Sequence, residues 1–311
     1  MTFERPHIIR PPHEDGSYYL PLTSGCSNSY CGFCNYYYGH RLKIRELSEV
    51  KQEIDALALF MEHGLRIPEI SPMVYTIANE WDGNRLFLQD GDALVYPYPQ
   101  LLQVLEYLNQ KMPGIKRISC FATAQDILLR TVDELRALKD LRLAIIYMGV
   151  ESGDDGILQY VGKDITAQRI VEAGQRVKDA GIELSVTIIL GLGGQGKSQV
   201  HALSTAKILS DLDPDSADAL TLTLVPGTPM YDSNQRGEFT QISPLQSIDE
   251  LKTIMANSSF TNCLFRSIHA SNYLSIHGRL PQEKEEMLSK LEYVLSRRDS
   301  ILLRPEFLRG L

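Results

Sequence analysis

Three cysteines near the start of the chain, Cys26, Cys31 and Cys34, are the residues whose type and spacing point first to chemistry. They form the pattern C-x4-C-x2-C, so one short loop can turn three thiolates toward a common point. A cubane iron–sulfur cluster needs such a set, and three thiolates rather than four leave one iron open for chemistry. Other readings use the same residues. With His40 downstream, the three thiolates make a ligand set for tetrahedral zinc. Plain buried thiols, or disulfide partners in a secreted chain, also fit the spacing.

Bulk properties narrow the setting. The 311 residues suffice for one large domain or two modest ones, and 43% hydrophobic with 23% charged residues is ordinary for a soluble globular protein. A net charge of −8 provides no basic field to attract nucleic acid, so no nucleic-acid partner is expected. The basic run His40-Arg41-Leu42-Lys43-Ile44-Arg45 reads as solvated chain rather than an anion site. The segment from Met1 to Pro6 lacks the apolar stretch of a secretory signal, and no window approaches the ~18 apolar residues of a membrane span. Five cysteines, unevenly spaced, make a poor disulfide framework, so a cytoplasmic protein with metal-ligating cysteines is expected.

The elements that must position this loop follow from periodicity. Residues 1–16 read as an extended lead-in, and 17–22 as a strand that delivers the chain to the cysteines. Helical spacing follows over 47–65, 101–108, 124–138, 166–180 and 198–212. Strands are expected at 73–78 or 85–88, or both, then at 116–122, 143–150 and 184–190, with 219–225 the last clear one. Alternating strands and helices mean successive βαβ units and a parallel sheet, either doubly wound or rolled into a barrel. In both, functional groups gather at the C-terminal ends of the strands. From about residue 246 helices at 251–255 and 282–295 flank an irregular stretch over 266–273.

The strand ends carry more than the cysteine loop. Phe33 precedes Cys34; Gln89-Asp90-Gly91-Asp92 follows the second strand; Gly149-Val150-Glu151-Ser152-Gly153 follows the fourth, with Lys163 beyond it; Ile188-Ile189-Leu190-Gly191 closes the fifth. In this order the segments resemble the radical S-adenosylmethionine (SAM) superfamily over about residues 17–229, in particular its elongator, tRNA-methylthiotransferase and oxygen-independent coproporphyrinogen dehydrogenase branch. The commonest cysteine spacing there is C-x3-C-x2-C, and this loop carries one residue more. The resemblance implies a partial (β/α)6 TIM-like barrel over 17–235, with a mainly helical extension over 236–311 that caps the site. It also implies a 4Fe–4S cluster on Cys26, Cys31 and Cys34, with SAM on its open iron. Phe33, Gln89, Asp90, Gly91, Asp92, Ala122, Glu151, Ser152, Lys163, Thr187, Leu190 and Gly191 are the implied cofactor-binding positions. Among them Glu151 would hold the ribose, Lys163 the SAM carboxylate, and the turn at 89–92 the amino group. The implied reaction is reductive cleavage of SAM to a 5′-deoxyadenosyl radical, with an electron donor such as flavodoxin or ferredoxin.

For the substrate, Tyr36-Tyr37-Tyr38, His201, Arg266, His269, Asn272 and Tyr273 are the candidates, and Arg and His suit an anionic small molecule. Cys120 and Cys263 read as plain buried thiols. There is no D-x-H-x-x-G cobalamin lead, second cysteine cluster or basic RNA-binding appendage. Two non-catalytic readings compete: a zinc- or cluster-stabilised binding module, and a barrel that binds SAM without cleaving it.

Overall fold

The computed structural model describes residues 3–297 and 300–310. In chain order the elements are β1 (Tyr18–Pro21), β2 (Thr23–Ser24), β3 (Lys43–Ile44), α1 (Leu47–His63), α2 (Pro72–Glu80), β4 (Arg85–Gln89), α3 (Tyr98–Lys111), β5 (Arg117–Ala122), α4 (Ala124–Leu128), α5 (Val132–Asp140) and β6 (Leu143–Glu151). They continue with α6 (Asp155–Tyr160), α7 (Ala167–Asp179), β7 (Glu183–Leu190), α8 (Gly194–Leu212), β8 (Ser216–Thr221), α9 (Pro229–Gln235), α10 (Pro244–Asn257), β9 (Cys263–Ser267), β10 (Ile276–Leu280) and α11 (Lys284–Arg297). The main sheet has eight strands in the order β1-β4-β5-β6-β7-β8-β9-β10, and a small ladder joins β2 to β3. Among the described residues no helix is long and apolar enough to cross a membrane.

The chain divides into two compact units. The first comprises the chain before Tyr30, Gly39–Tyr147 and Arg176–Glu183. Its strands β1, β4 and β5 run parallel, with Leu20 opposite Leu88 and Leu88 opposite Cys120. These side chains, with Tyr18, Leu86, Phe87 and Ile118, are fully buried, as a parallel sheet covered on both faces requires. The lead-in does more than trail. Glu14 is fully buried and takes Arg117 at 2.8 Å, the Tyr147 hydroxyl at 2.6 Å and the Ser17 hydroxyl at 2.7 Å. A short 3-10 turn over Pro12–Glu14 delivers it there.

The second unit comprises Tyr30–Tyr38, Met148–Gln175 and the chain from Leu184 onward. Here β7 and β8 are parallel with Leu190 opposite Thr221, β9 continues parallel with Arg266 opposite Asp218, and β10 returns antiparallel. Arg266 and Asp218 also pair as side chains, Nε and Nη2 each donating at 2.7 Å.

Three readings of local structure change. Residues 73–78 are helix, not strand: Ser71 caps, its side chain accepting the Met73 N–H, and Pro72 starts the first turn. The helix expected over 124–138 is two, because Thr131 opens a fresh capping box with Glu134. The stretch read as irregular begins inside β9, where Cys263, Phe265 and Ser267 are buried and Leu264 and Arg266 are not. Five residues of alternation with polar members give too short a signal to stand out. β8 therefore is not the last strand, and it ends at Thr221 rather than 225.

Candidate functional site

The cysteine loop passes from one unit to the other between Ser29 and Tyr30. Cys26 thus belongs to the first unit and Cys31 and Cys34 to the second. None of the three is in a disulfide, and each is half-buried.

In the first unit, both carboxyl groups of the turn after β4 grip the flanks of Cys26. Asp90 Oδ2 accepts the Gly25 N–H at 2.5 Å, and Asp92 Oδ2 accepts the Ser27 hydroxyl at 2.8 Å. Asp92 is fully buried and also takes the Leu94 N–H on Oδ1. Its backbone carbonyl accepts the Thr23 hydroxyl at 3.2 Å, and the Cys26 sulfur lies 3.9 Å from the Gly91 carbonyl. Thr123, which caps α4, contacts Asp92 Oδ2 at 3.0 Å and Asp126 Oδ2 at 2.6 Å. A hydroxyl has one hydrogen to give, so two carboxyl oxygens around it require a proton of their own. Burial, with Asp126 beside it, pushes Asp92 well above the carboxylate range and makes it the protonated member. Asp126, Thr123 and Ser27 were not legible as site residues, because no short motif links positions so far apart in sequence. Gln89 is buried, its amide donating to the carbonyls of Pro6 (3.2 Å) and His7 (2.9 Å), while its Oε1 finds no hydrogen-bond partner among the described residues. Ala122 closes β5 as a buried methyl.

In the second unit, Gly32 joins Cys31 to the scaffold: its N–H donates to the Val161 carbonyl at 2.7 Å and its carbonyl accepts from Met230 at 3.0 Å. Gly162, at φ +75, leaves the space that the Tyr30 carbonyl fills. Phe33 lies against the apolar cluster of Ile157, Val161, Ile189, Leu192, Leu222, Met230 and Phe239. Burial pushes the Cys31 thiol up to about 11 and raises Cys34 as well, so ligation has to displace their protons.

The glycines at 149 and 153 have separate causes. A Cβ on Gly149 would collide with the Glu151 carboxylate, and one on Gly153 with the Ser204 carbonyl of α8. Glu151 itself sits at φ +63 and receives Lys163 Nζ at 3.0 Å, both side chains about one-tenth exposed. This buried cation and carboxylate form one pair in the same unit as Cys31 and Cys34.

His201 is fully buried on α8. Its Nε2 lies 3.0 Å from the Ile189 carbonyl, which can only accept, so Nε2 carries the proton and Nδ1 accepts the Ser152 hydroxyl at 2.8 Å. Glu250 Oε1, 3.5 Å from Nε2, accepts the Gly191 N–H at 2.5 Å, and Oε2 accepts the Ser198 hydroxyl at 2.5 Å. Burial holds the histidine down at about 4 and lifts the acid to about 7, so the 3.5 Å approach is not a salt bridge between full charges. Leu190 is buried beside this turn and Thr187 is half-buried in β7.

The remaining substrate candidates are occupied by the fold itself. Arg266 serves Asp218; His269 Nδ1 lies 2.9 Å from the Ser271 hydroxyl; Asn272 accepts from Thr221 and donates to the Ala219 carbonyl, each at 2.8 Å. The Tyr273 hydroxyl donates to Glu306 at 2.7 Å under the Arg309 guanidinium. Tyr36 and Tyr38 are exposed.

The donor set suits an iron–sulfur cluster: three unoxidised, partly accessible thiols, each a soft ligand for a separate iron. Among the described residues no three His, Cys, Asp or Glu side chains are grouped around a single ion.

Comparison with known proteins agrees with this chemistry. The family model described as the radical SAM superfamily matches residues 20–205, more than half of the chain. A tRNA-2-methylthio-N(6)-dimethylallyladenosine synthase from Nitrosospira multiformis is 24% identical over 226 residues, 72% of this chain and 44% of that protein. The heme chaperone HemW from Bacillus subtilis is 24% identical over 53% of this chain and 44% of its own length. The chain therefore spans about half the length of the curated relatives it matches. Among solved structures, coproporphyrinogen III oxidase from Escherichia coli superposes with a TM-score of 0.54 at 18% identity, covering 77% of this chain and 51% of that one. That likeness shows the fold.

Two measurements test the polar interior. Asp92→Ala leaves the Ser27 hydroxyl and Leu94 N–H unanswered and should cost roughly 2–4 kcal/mol in urea unfolding, whereas Asp92→Asn keeps an acceptor and a donor and should stay within about 1 kcal/mol of the parent. Equal losses would refute the carboxyl's role as a shared hydrogen-bond hub. The second test uses pH. Glu250, raised from 4.5 to about 7, favours the folded state at low pH and loses that contribution as pH rises between those values. His201, lowered from 6.5 to about 4, contributes in the opposite sense, its stability growing as pH rises from about 4 to 6.5. The two slopes offset each other in the parent. Glu250→Gln removes the acid's falling slope, so the variant's unfolding free energy should gain on the parent's by on the order of 2–3 kcal/mol between pH 4.5 and 7. A variant profile parallel to the parent's would show that Glu250 is not held protonated by its burial.

Proposed function

The chain belongs to the radical SAM superfamily, and on that premise we propose that it cleaves SAM reductively at a 4Fe–4S cluster on Cys26, Cys31 and Cys34, for use on a small-molecule substrate. The observation that carries this reading is the loop itself: three cysteines outside any disulfide, whose flanking Gly25, Ser27 and Gly32 donate hydrogen bonds to Asp90, Asp92 and Val161. When bound and reduced, the cluster supplies the electron that splits the sulfonium into methionine and a 5′-deoxyadenosyl radical.

The chain's own residues hold and orient. Lys163, now paired with Glu151, offers a cation to the SAM carboxylate, and Glu151 is freed to accept ribose hydroxyls. The apolar cluster under Phe33 gives adenine a dry wall. Residues 17–235 form the catalytic core in this reading and 236–311 its extension. An external one-electron donor such as flavodoxin or ferredoxin completes the stoichiometry.

The small-molecule reading rests on the net charge of −8. The relatives named for tRNA modification remove the ground for excluding nucleic acid outright, so the substrate assay needs a tRNA arm.

Anaerobic reconstitution should give about four irons per chain, lost in Cys26→Ala, Cys31→Ala and Cys34→Ala. The dithionite-reduced holoprotein should release 5′-deoxyadenosine and methionine from SAM. A cluster-loaded protein that releases neither would overturn the enzymatic reading. Stimulation of turnover by tRNA, and not by a small-metabolite extract, would overturn the small-molecule half.

A further inference from the structure

We propose that Glu250 is a positioning residue, acting with His201 to hold the ends of β6 and β7 in the register that the adenosyl half of SAM requires; this rests on the radical SAM reading above. Glu250 stands on α10, outside the 20–205 family match, so the device belongs to the C-terminal part of this chain.

The connections form one buried relay. Glu250 binds the Gly191 N–H with one oxygen and the Ser198 hydroxyl, near the start of α8, with the other. Gly191 leaves β7 at φ +83, and a Cβ there would press on Ile242, so the turn is tightly built and its N–H points into the interior. One helical turn after Ser198, His201 donates to the Ile189 carbonyl and accepts the Ser152 hydroxyl. Ser152 follows Glu151 directly, and Ile189 is part of the apolar wall on which Phe33 rests. The ribose-side carboxylate and the adenine-side wall are therefore tied through two side chains to a single carboxyl group.

A serine, histidine and glutamate in contact suggest a hydrolytic triad, and the geometry refuses it. Ser152 and His201 are fully buried and Glu250 is 2% exposed, so no substrate reaches them. The serine sits on Nδ1 while Nε2 is committed to a peptide carbonyl, and both oxygens of Glu250 are engaged elsewhere. Burying three polar side chains gains little over apolar packing, whereas it fixes direction in a way that apolar packing does not. Fixing direction is the role assigned, because misplacing binding groups by about 1 Å can cost orders of magnitude in rate.

The experiment compares parent, Glu250→Gln and Ser198→Ala as cluster-loaded holoproteins, by amide hydrogen exchange without SAM and by calorimetric titration with SAM. Glu250→Gln should raise exchange at 189–194 and 152–153 about tenfold with the rest of the chain unchanged. It should also weaken SAM binding about tenfold while leaving iron content at the parent value. Ser198→Ala, which removes one of the two anchors, should give a smaller change in the same direction and keeps the test available if Glu250→Gln folds poorly. Unchanged exchange in both variants overturns the clamp, as does exchange that rises uniformly over the chain. A local rise with parental SAM affinity overturns its link to the cosubstrate. A parent that holds its irons but binds no SAM overturns the radical SAM reading instead, and the exchange data then judge the clamp separately.

Discussion

A carboxyl group that cannot reach water has to be answered by donors, and the strand ends of this protein are fastened by that requirement. Asp90 and Asp92 answer the backbone and hydroxyl groups on both sides of Cys26. Glu151 answers Lys163, and Glu250 answers the turn after β7. Glu14 does the same below, where Arg117 and Tyr147 meet it. The three cysteines of the loop form no disulfide to hold its shape. These acids supply the constraint, and each of them would be costly to leave unmet, by roughly 1–3 kcal/mol for every orphaned group.

Much of the fold was legible because parallel strands buried on both faces are continuous apolar runs, and the helices between them keep a 3.6-residue period. Those over 143–150 and 184–190 matched β6 and β7 almost to the residue. What escaped depended on local chemistry that outweighs hydrophobic period. Ser71-Pro72 converts an apolar run into a helix start, and Thr131 with Glu134 restarts a helix that looked continuous. β9 and β10 escaped because each shows only five residues, two of which are not buried.

The site was legible in its residue types and less so in its wiring. The turn at 89–92 was legible as a polar strand end, but not that its two carboxyl groups accept from Gly25 and Ser27 on either side of Cys26. Arg266, His269, Asn272 and Tyr273 have the right chemistry for an anionic substrate, but each has a structural partner within 3 Å. Residue type tells what a side chain can bind, and only the fold tells what it already binds. Glu250 carried no sequence signal because its partners Gly191 and Ser198 lie dozens of residues away, and Asp126 read only as part of a helix start although it shares Thr123 with the distant Asp92.

The extra residue between Cys26 and Cys31 can be understood in the same terms. The hydrogen bonds that fix Cys26 come from Gly25 and Ser27 on its two sides, and those that fix Cys31 and Cys34 come from Gly32 and the turn after it. The longer gap falls between these two anchored groups, where the chain passes from one unit to the other. Each cysteine is thus oriented by its immediate neighbours and not by the length of the segment joining them. Lengthening a flexible segment by one residue costs little in closure entropy, a few tenths of a kcal/mol by the logarithmic scaling of loop closure. The one-residue difference from the commonest spacing therefore costs little, and the hydrogen bonds that orient the cysteines at each end of the gap do not depend on its length.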